Sequence, residues 1–496
     1  MKKKKTSLFE VGETYFNELV NRNMIQPVYH HDDENAHLYA CRVHDMVLDL
    51  ISSLAREDNF VTILNGISDN NSFEGKVRRM SLQNVAKEEH QTMPLKSVST
   101  SQVRSIAAFK HAIALMPSLS SFVVLHVLDL TGCDLRGHDH HLNLRELGCL
   151  LHLRYLGLAL TKICELPEEV GKLQFLQVLD LRGNDGMELP SSVIKLRRLM
   201  CLIIDHDHKR LPHGLGNMTS IEVLDQIHGD SLITVKELGN LERLRKLAIR
   251  FRYLSLELEE AFVESLGKLS NIQSVRILKE VNDIHLMDHL GERWVPPRSL
   301  REFIMYGGAR FSIMPAWIRR NPSHMSQVSV LEIPVVKVRQ EDLVFLGRLP
   351  ALRNLRLNSF RRQSELLLVG ADGFCSLSSF LLFFRFPGHI VFQPGAMPKV
   401  QTVEFYHCLR VARDEEAAGN VGDWFDLGME NLPSLRKVEV KFLRSGVKVG
   451  EAKQAEAALR KSLRTHPNRP TIDICINPGI PEDAHDDDIY LTDDEE

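Results

Sequence analysis

Between Leu125 and Val440 the apolar positions keep returning in one short pattern, L-x-x-L-x-L, in which other large apolar residues can stand in for leucine. It begins at Leu125/Leu128/Leu130, Leu153/Leu156/Leu158, Leu176/Leu179/Leu181 and Leu199/Leu202/Ile204. It continues at Leu244/Leu247/Ile249, Ile272/Val275/Ile277, Leu300/Phe303/Met305, Val328/Leu331/Ile333 and Leu352/Leu355/Leu357. Leu377/Phe380/Leu382, Val400/Val403/Phe405 and Leu435/Val438/Val440 close it, with starts mostly 22 to 28 residues apart. The alternation x-L-x-L predicts a short strand with one face in and one out. The apolar residues that follow predict a return leg against the next unit. No unit buries its leucines alone, so stability has to come from stacking.

This period and pattern are those of leucine-rich repeats. The predicted fold is an α/β leucine-rich-repeat solenoid, a horseshoe, preceded by a small partial winged-helix subdomain. Val77/Met80/Leu82 and Val103/Ile106/Ala108 repeat the spacing more faintly and read as opening repeats. Leu-Pro-x-x-[Val/Ile]-x-x-Leu at 166–173 and 189–196, and a variant at 211–218, predicts a helical return leg with proline in its first turn. At 221–227 the third apolar place falls on Gln226. Residues 451–463 read as a helix with Leu459 and Leu463 inward, and 471–476 as a final strand; together they would cap the repeats. From Pro478 onward there are too few apolar residues to fold.

The first sixty residues follow a different rule. Val11, Tyr15, Leu19 and Val20 share a helical face, and Asn23 suits a left-handed cap. A strand at 24–29, a polar loop and a returning strand at 37–43 predict a hairpin. Asp45 suits an N-cap, before a stripe of Val47, Leu50, Ile51 and Leu54. Helix, two-stranded wing and helix outline half of a winged helix. Tyr15-Phe16-x-Glu18-Leu19-Val20-Asn21-Arg22-x-Met24-Ile25-Gln26-Pro27, with Val43-His44-Asp45 downstream, resembles the end of the winged-helix subdomain in plant disease-resistance proteins of the nucleotide-binding, leucine-rich-repeat family. The repeats are similar to the same family's recognition domain. The resemblance implies that His44 contacts the β-phosphate of ADP and that Asp45 helps hold the resting state. It also implies an intracellular immune receptor in the cytoplasm or nucleus. No G-x-x-x-x-G-K-[ST] occurs in these 496 residues, so ATP or ADP is expected only in an intact family member and no cofactor is expected here. The predicted organisation is winged helix at 1–60, linker at 61–76, repeats and cap at 77–476, and an acidic tail at 477–496.

Composition narrows the function. The net charge of −4 hides an acidic tail: residues 482–496 hold nine Asp or Glu and no Lys or Arg, leaving +5 elsewhere. So small an excess gives no reason to expect nucleic acid. The helix at 45–57 carries one Arg against three acids, which argues against DNA reading. Eight scattered cysteines without C-x-x-C fit a reduced, intracellular chain. The basic start lacks an apolar h-region, and no apolar run approaches a membrane span. His138-Asp139-His140-His141 has no second ligand cluster, so no metal site is expected. With no G-x-S-x-G, H-E-x-x-H or kinase set, the chain is not expected to be an enzyme. An F-box of three helices, as a ubiquitin-ligase substrate receptor would need, does not fit the hairpin outline.

What remains is protein recognition on the strand face. The candidates are Asp180, Asp205, Arg250, Arg276, Tyr306, Arg356, Phe383 and Tyr406, with acids toward the N-terminal end and Lys246 to Arg276 basic. The expected partner is a pathogen effector, a host protein guarded by the receptor, or a receptor's own nucleotide-binding domain; a scaffold for another signalling complex is the alternative.

Overall fold

A computed structural model describes residues 8–30, 37–65, 77–83, 99–136, 142–184, 186–204, 211–281, 283–320, 322–361, 366–384, 390–408, 427–443, 456–457, 459–461, 463–464 and 466–477. The chain divides into two compact units, Met1–Leu153 and Arg154–Glu496.

The first unit opens with the helix Leu8–Asn21, which ends as its sequence predicts. Asn23 takes a left-handed conformation (φ 55°), and its N–H donates to the Val20 carbonyl. The Met24 N–H donates to Leu19, so the orphan carbonyls of the last turn are satisfied. Ile25–His30 and His37–Val43 then pair antiparallel, and the helix Asp45–Glu57 follows. A parallel ladder begins at Thr62–Asn65, ahead of the Val77 unit, and runs through Arg79–Gln83, Ser105–Ala108 and Val127–Asp129.

In the second unit thirteen strands form a parallel ladder from Tyr155–Gly157 to Thr471–Asn477. Its register stacks like positions: Leu156, Leu179, Leu202 and Leu224 are neighbours in successive strands, and so are Leu247, Val275 and Phe303. Nearly every apolar position of the repeat is buried; Phe405 is half-buried. Leu459 and Leu463 are buried as well. This is the leucine-rich-repeat fold.

Return legs differ from unit to unit. Two of the 23-residue units turn back through short 3-10 helices, Glu168–Lys172 and Ser191–Lys195. Pro167 and Pro190 stand just before these helices, in extended conformation, rather than inside the first turn. Other units return through α-helices whatever their length: Leu232–Leu238 in the 23-residue unit between Leu224 and Leu247, and Leu256–Lys268 in the 28-residue unit that follows. At 221–227 the core place expected of Gln226 goes to Ile227, which is fully buried. Gln226 sits left-handed (φ 59°) at an irregularity in the ladder, where the register shifts between Leu224 and Ile227. One inserted residue carries the strand past the misplaced polar side chain and returns an apolar one to the core.

After the three-residue strands Tyr155–Gly157 and Val178–Asp180 the backbone turns over a buried asparagine. Asn184 accepts from the N–H groups of Thr161 (3.1 Å) and Ile163 (3.2 Å) and donates to the carbonyls of Leu158 (2.7 Å) and Leu181 (2.8 Å). A single side chain thus supplies partners to backbone groups of two adjacent repeats, which burial would otherwise leave unsatisfied. The His-Asp-His-His run at 138–141 and the acidic tail at 478–496 lie outside the described residues.

Candidate functional site: the outward strand face of the second unit

The Val43-His44-Asp45 motif lies in the first unit. The Leu48 N–H donates to the His44 carbonyl, the first bond of the helix, and the Met46 N–H donates to His44 Nδ1 at 3.3 Å. His44 is therefore the N-cap, and Asp45, expected in that role, is the first helical residue. Both side chains are exposed. His44 closes a helix end by accepting from its backbone; a local hydrogen bond explains the residue without a phosphate.

On the strands of the second unit, the residues between the core positions point outward, and there their charges are largely paired across neighbouring strands. Asp180 is 5% exposed. Arg182 grips it with two bonds, Nη2 at 2.6 Å and Nε at 3.0 Å, and that hydrogen bonding raises the Arg182 pKa. Arg250 meets Glu280 at 3.1 Å, and Arg276 meets Glu302 at 2.5 Å, with Ser274 also donating to Glu302 at 2.8 Å. Burial by itself would neutralise both members of the Arg276–Glu302 pair. The charge and hydrogen bond of each partner outweigh it, so the Arg276 pKa is raised and that of Glu302 lowered. The expected alternation of an acidic and then a basic stretch is thus softened: the cations Arg250 and Arg276 carry their own glutamates. Asp205 lies outside the described residues.

From Val223–His228 onward the ladder strands are six or seven residues long, among them Asn354–Ser359, Ser379–Phe384, Thr402–Cys408 and Lys437–Leu443. Longer strands add an outward position beyond the last core residue, and in register it holds Asn358, Phe383, Tyr406 and Lys441. The rings make a row. Phe360 lies 6.0 Å from Phe383, and Phe383 lies 5.3 Å from Tyr406, centroid to centroid. Cations close both ends: the Arg310 guanidinium is 3.6 Å from the Phe360 centroid, and Lys441 Nζ is 4.7 Å from that of Tyr406. Lys441 also donates to the Tyr406 hydroxyl (2.6 Å) and pairs with Glu404 (2.9 Å). These bonds outweigh its desolvation and raise its pKa.

Phe360, Phe383 and Tyr406 are each half-buried, an apolar surface that is partly open yet held in place by its neighbours. Arg356, half-buried, lies in register between Glu332 and Leu381. Tyr306 is half-buried opposite Leu278. Of the residues named from sequence, then, the fold brings Phe383 and Tyr406 into one row. Phe360 and Arg310 complete the row from outside the repeat's strand positions, where the sequence pattern gives no signal for them. Among the described residues no group of three or more His, Cys, Asp or Glu could hold a metal, and no helix is long and apolar enough to cross a membrane.

Comparison with known proteins agrees with this architecture. The family model described as "Leucine-rich repeat region" matches residues 102–472, and "Disease resistance protein Winged helix domain" matches residues 1–51. Disease resistance protein Pik-2 of Oryza sativa subsp. japonica is 26% identical, over 87% of this chain and 45% of its own length. Disease resistance protein RGA5 of the same plant is 26% identical over 92% of this chain and 40% of its own. Probable disease resistance protein RXW24L of Arabidopsis thaliana is 27% identical over 75% of this chain and 40% of its own. The chain thus spans less than half the length of these relatives. With winged helix and repeats in the same order as the sequence and fold place them, the chain belongs to the leucine-rich-repeat family of plant disease-resistance proteins.

Proposed function

We propose that this chain is the protein-recognition and regulatory module of an intracellular plant immune receptor, and that it takes a pathogen effector or a host protein on the outward strand face of its C-terminal repeats. The observation that carries this reading is the row Phe360, Phe383 and Tyr406, three half-buried rings tilted against one another along the sheet. Aromatic anchors on a pre-formed surface contribute much of the energy of protein interfaces and lose little side-chain entropy on binding. The paired charges upstream suit a different role, setting register and rejecting wrong partners. Membership of a disease-resistance family supports the immune setting.

Proximity labelling in plant cells tests this. Proteins labelled by the wild type should be lost from the double variant Phe383→Ala/Tyr406→Ala and retained by Arg252→Ala, a change at an exposed position away from the row. For a partner so identified, each aromatic substitution should weaken purified binding by about 2 kcal/mol. A label set that ignores the double variant would refute the reading.

A further inference from the structure

The strand face is charge-balanced, but the edge where the chain enters its strands is not. In the C-terminal repeats the turns at 296–301, 324–329, 348–353, 375–378, 396–401 and 431–436 hold Arg298, Arg301, Arg348, Arg353, Lys399 and Arg436, and no Asp or Glu. All six side chains are exposed. Among the described residues none of the six makes an ion pair, unlike Arg250, Arg276 and Lys441 on the adjoining face.

Three of them share one repeat position. The backbone hydrogen bonds run from residue to residue along the edge: Ser329 N–H to Arg301, Arg353 to Ser329, Ser378 to Arg353, Gln401 to Ser378, Arg436 to Gln401 and Thr471 to Arg436. Neighbouring strands lie about 4.8 Å apart, so the row from Arg301 to Arg436 runs about 24 Å. Like charges lined along one edge raise its positive potential, and an extended polyanion would complement it.

The sequence holds such a segment a short reach away. Residues 482–496 contain nine Asp or Glu and no Lys or Arg. The last described strand, Thr471–Asn477, adjoins Arg436 at its start and leads away from the cationic edge. Returning along its seven residues and passing the whole row takes roughly 50 Å. Residues 478–496, fully extended, reach about 65 Å. The reach suffices, with the acids falling in its distal part.

We propose that residues 482–496 dock within their own chain along the cationic edge from Arg436 to Arg301, as an exchangeable electrostatic cover. The contact is between exposed charges, so it weakens with salt. It leaves the strand face free, whichever partner that face takes, and it opens to any competing polyanion.

The test uses the full chain, a full chain with the nine acids of 482–496 changed to Asn or Gln, and that second chain with Arg301→Gln, Arg348→Gln, Arg353→Gln and Arg436→Gln added. The probe is a fluorescein-labelled peptide of residues 478–496, followed by anisotropy at low and raised salt. The peptide should bind the tail-neutralised chain, bind the wild type about ten-fold more weakly because the tethered tail competes at roughly millimolar effective concentration, and lose binding when the four arginines go. Equal affinity for wild type and tail-neutralised chain overturns the proposal, as does binding that survives the arginine changes. A wild-type dimer in sedimentation that tail neutralisation abolishes would place the tail on a second copy and overturn the assignment within one chain. A tail-neutralised chain that takes up an RNA oligonucleotide or a phosphatidylserine vesicle but not the peptide would overturn it too. Should the arginine variant fail to fold, the wild-type and tail-neutralised chains still decide the matter, since neither alters a described residue.

Discussion

Two regions of this protein carry equally clear amphipathic patterns and bury them very differently. Leu176, Leu179 and Leu181 are fully buried in a 23-residue repeat. On the helix Asp45–Glu57, Leu50, Ile51 and Leu54 are 58%, 47% and 49% exposed. The repeat's leucines have cover because the same positions recur on both sides, Leu156 and Leu202 flanking Leu179. The helix has no such recurrence, and no described residue covers its stripe. An apolar stripe states only that a partner surface is wanted; repetition supplies one and a single helix does not.

The largest expected effect tests the covered side of that contrast. Leu179→Ala should cost roughly 2–5 kcal/mol, the loss of buried methyl groups together with the cavity left behind. It would be read as a fall in the denaturant midpoint of the full chain. Asn184→Ala comes next at roughly 1–3 kcal/mol, because removing the side chain strands buried backbone groups in two repeats. A midpoint unchanged by Asn184→Ala would mean that water can replace the asparagine.

A smaller effect depends on pH. The Glu302 carboxyl has its pKa lowered in the fold, and so has Glu146, chiefly through the Ser118 hydroxyl. An acid with a depressed folded pKa takes up its proton more readily when unfolded. Its stabilisation is present above the unfolded value and is lost as pH falls through the folded one. The midpoint should therefore decline between about pH 5 and pH 3, and Glu302→Gln should flatten that decline. A slope that the variant leaves untouched would show that Arg276 does not hold this carboxylate in solution.

The smallest expected effect probes the uncovered side. Leu50→Ala should stay within about 0.5 kcal/mol of wild type, as at other exposed positions. A loss approaching that of Leu179→Ala would show that the helix face is covered in solution and would erase the contrast.

Legibility from sequence followed the range of the interaction. The left-handed Asn23 was readable because its hydrogen bonds stay within five residues. The cap at the next helix was misplaced by one residue: Asp45 has the favoured chemistry, yet the first helical bond runs to His44. At Gln226 the strict spacing failed because backbone can absorb one residue to keep an apolar side chain inside, an option that periodicity alone cannot register. The return legs are predicted as helices, but whether each is 3-10 or α does not follow from unit length: 23-residue units hold both Ser191–Lys195 and Leu232–Leu238.

By itself the sequence determined the repeat and its core positions, because each is written many times over, while the resemblance to a family rested on the single motif around Tyr15–Pro27 and Val43–Asp45. Only the tertiary structure decided which outward side chains meet. Arg276 and Glu302 are 26 residues apart, Phe360 and Phe383 are 23, and Tyr406 and Lys441 are 35. Those separations vary because the return legs and loops vary, whereas the backbone bonds between strands set register to the residue. Pairing of charges and stacking of rings follow from that register. It was therefore in space, not along the chain, that among the described residues one edge shows cations without ion pairs while Arg250, Arg276 and Lys441 on the adjoining face have theirs.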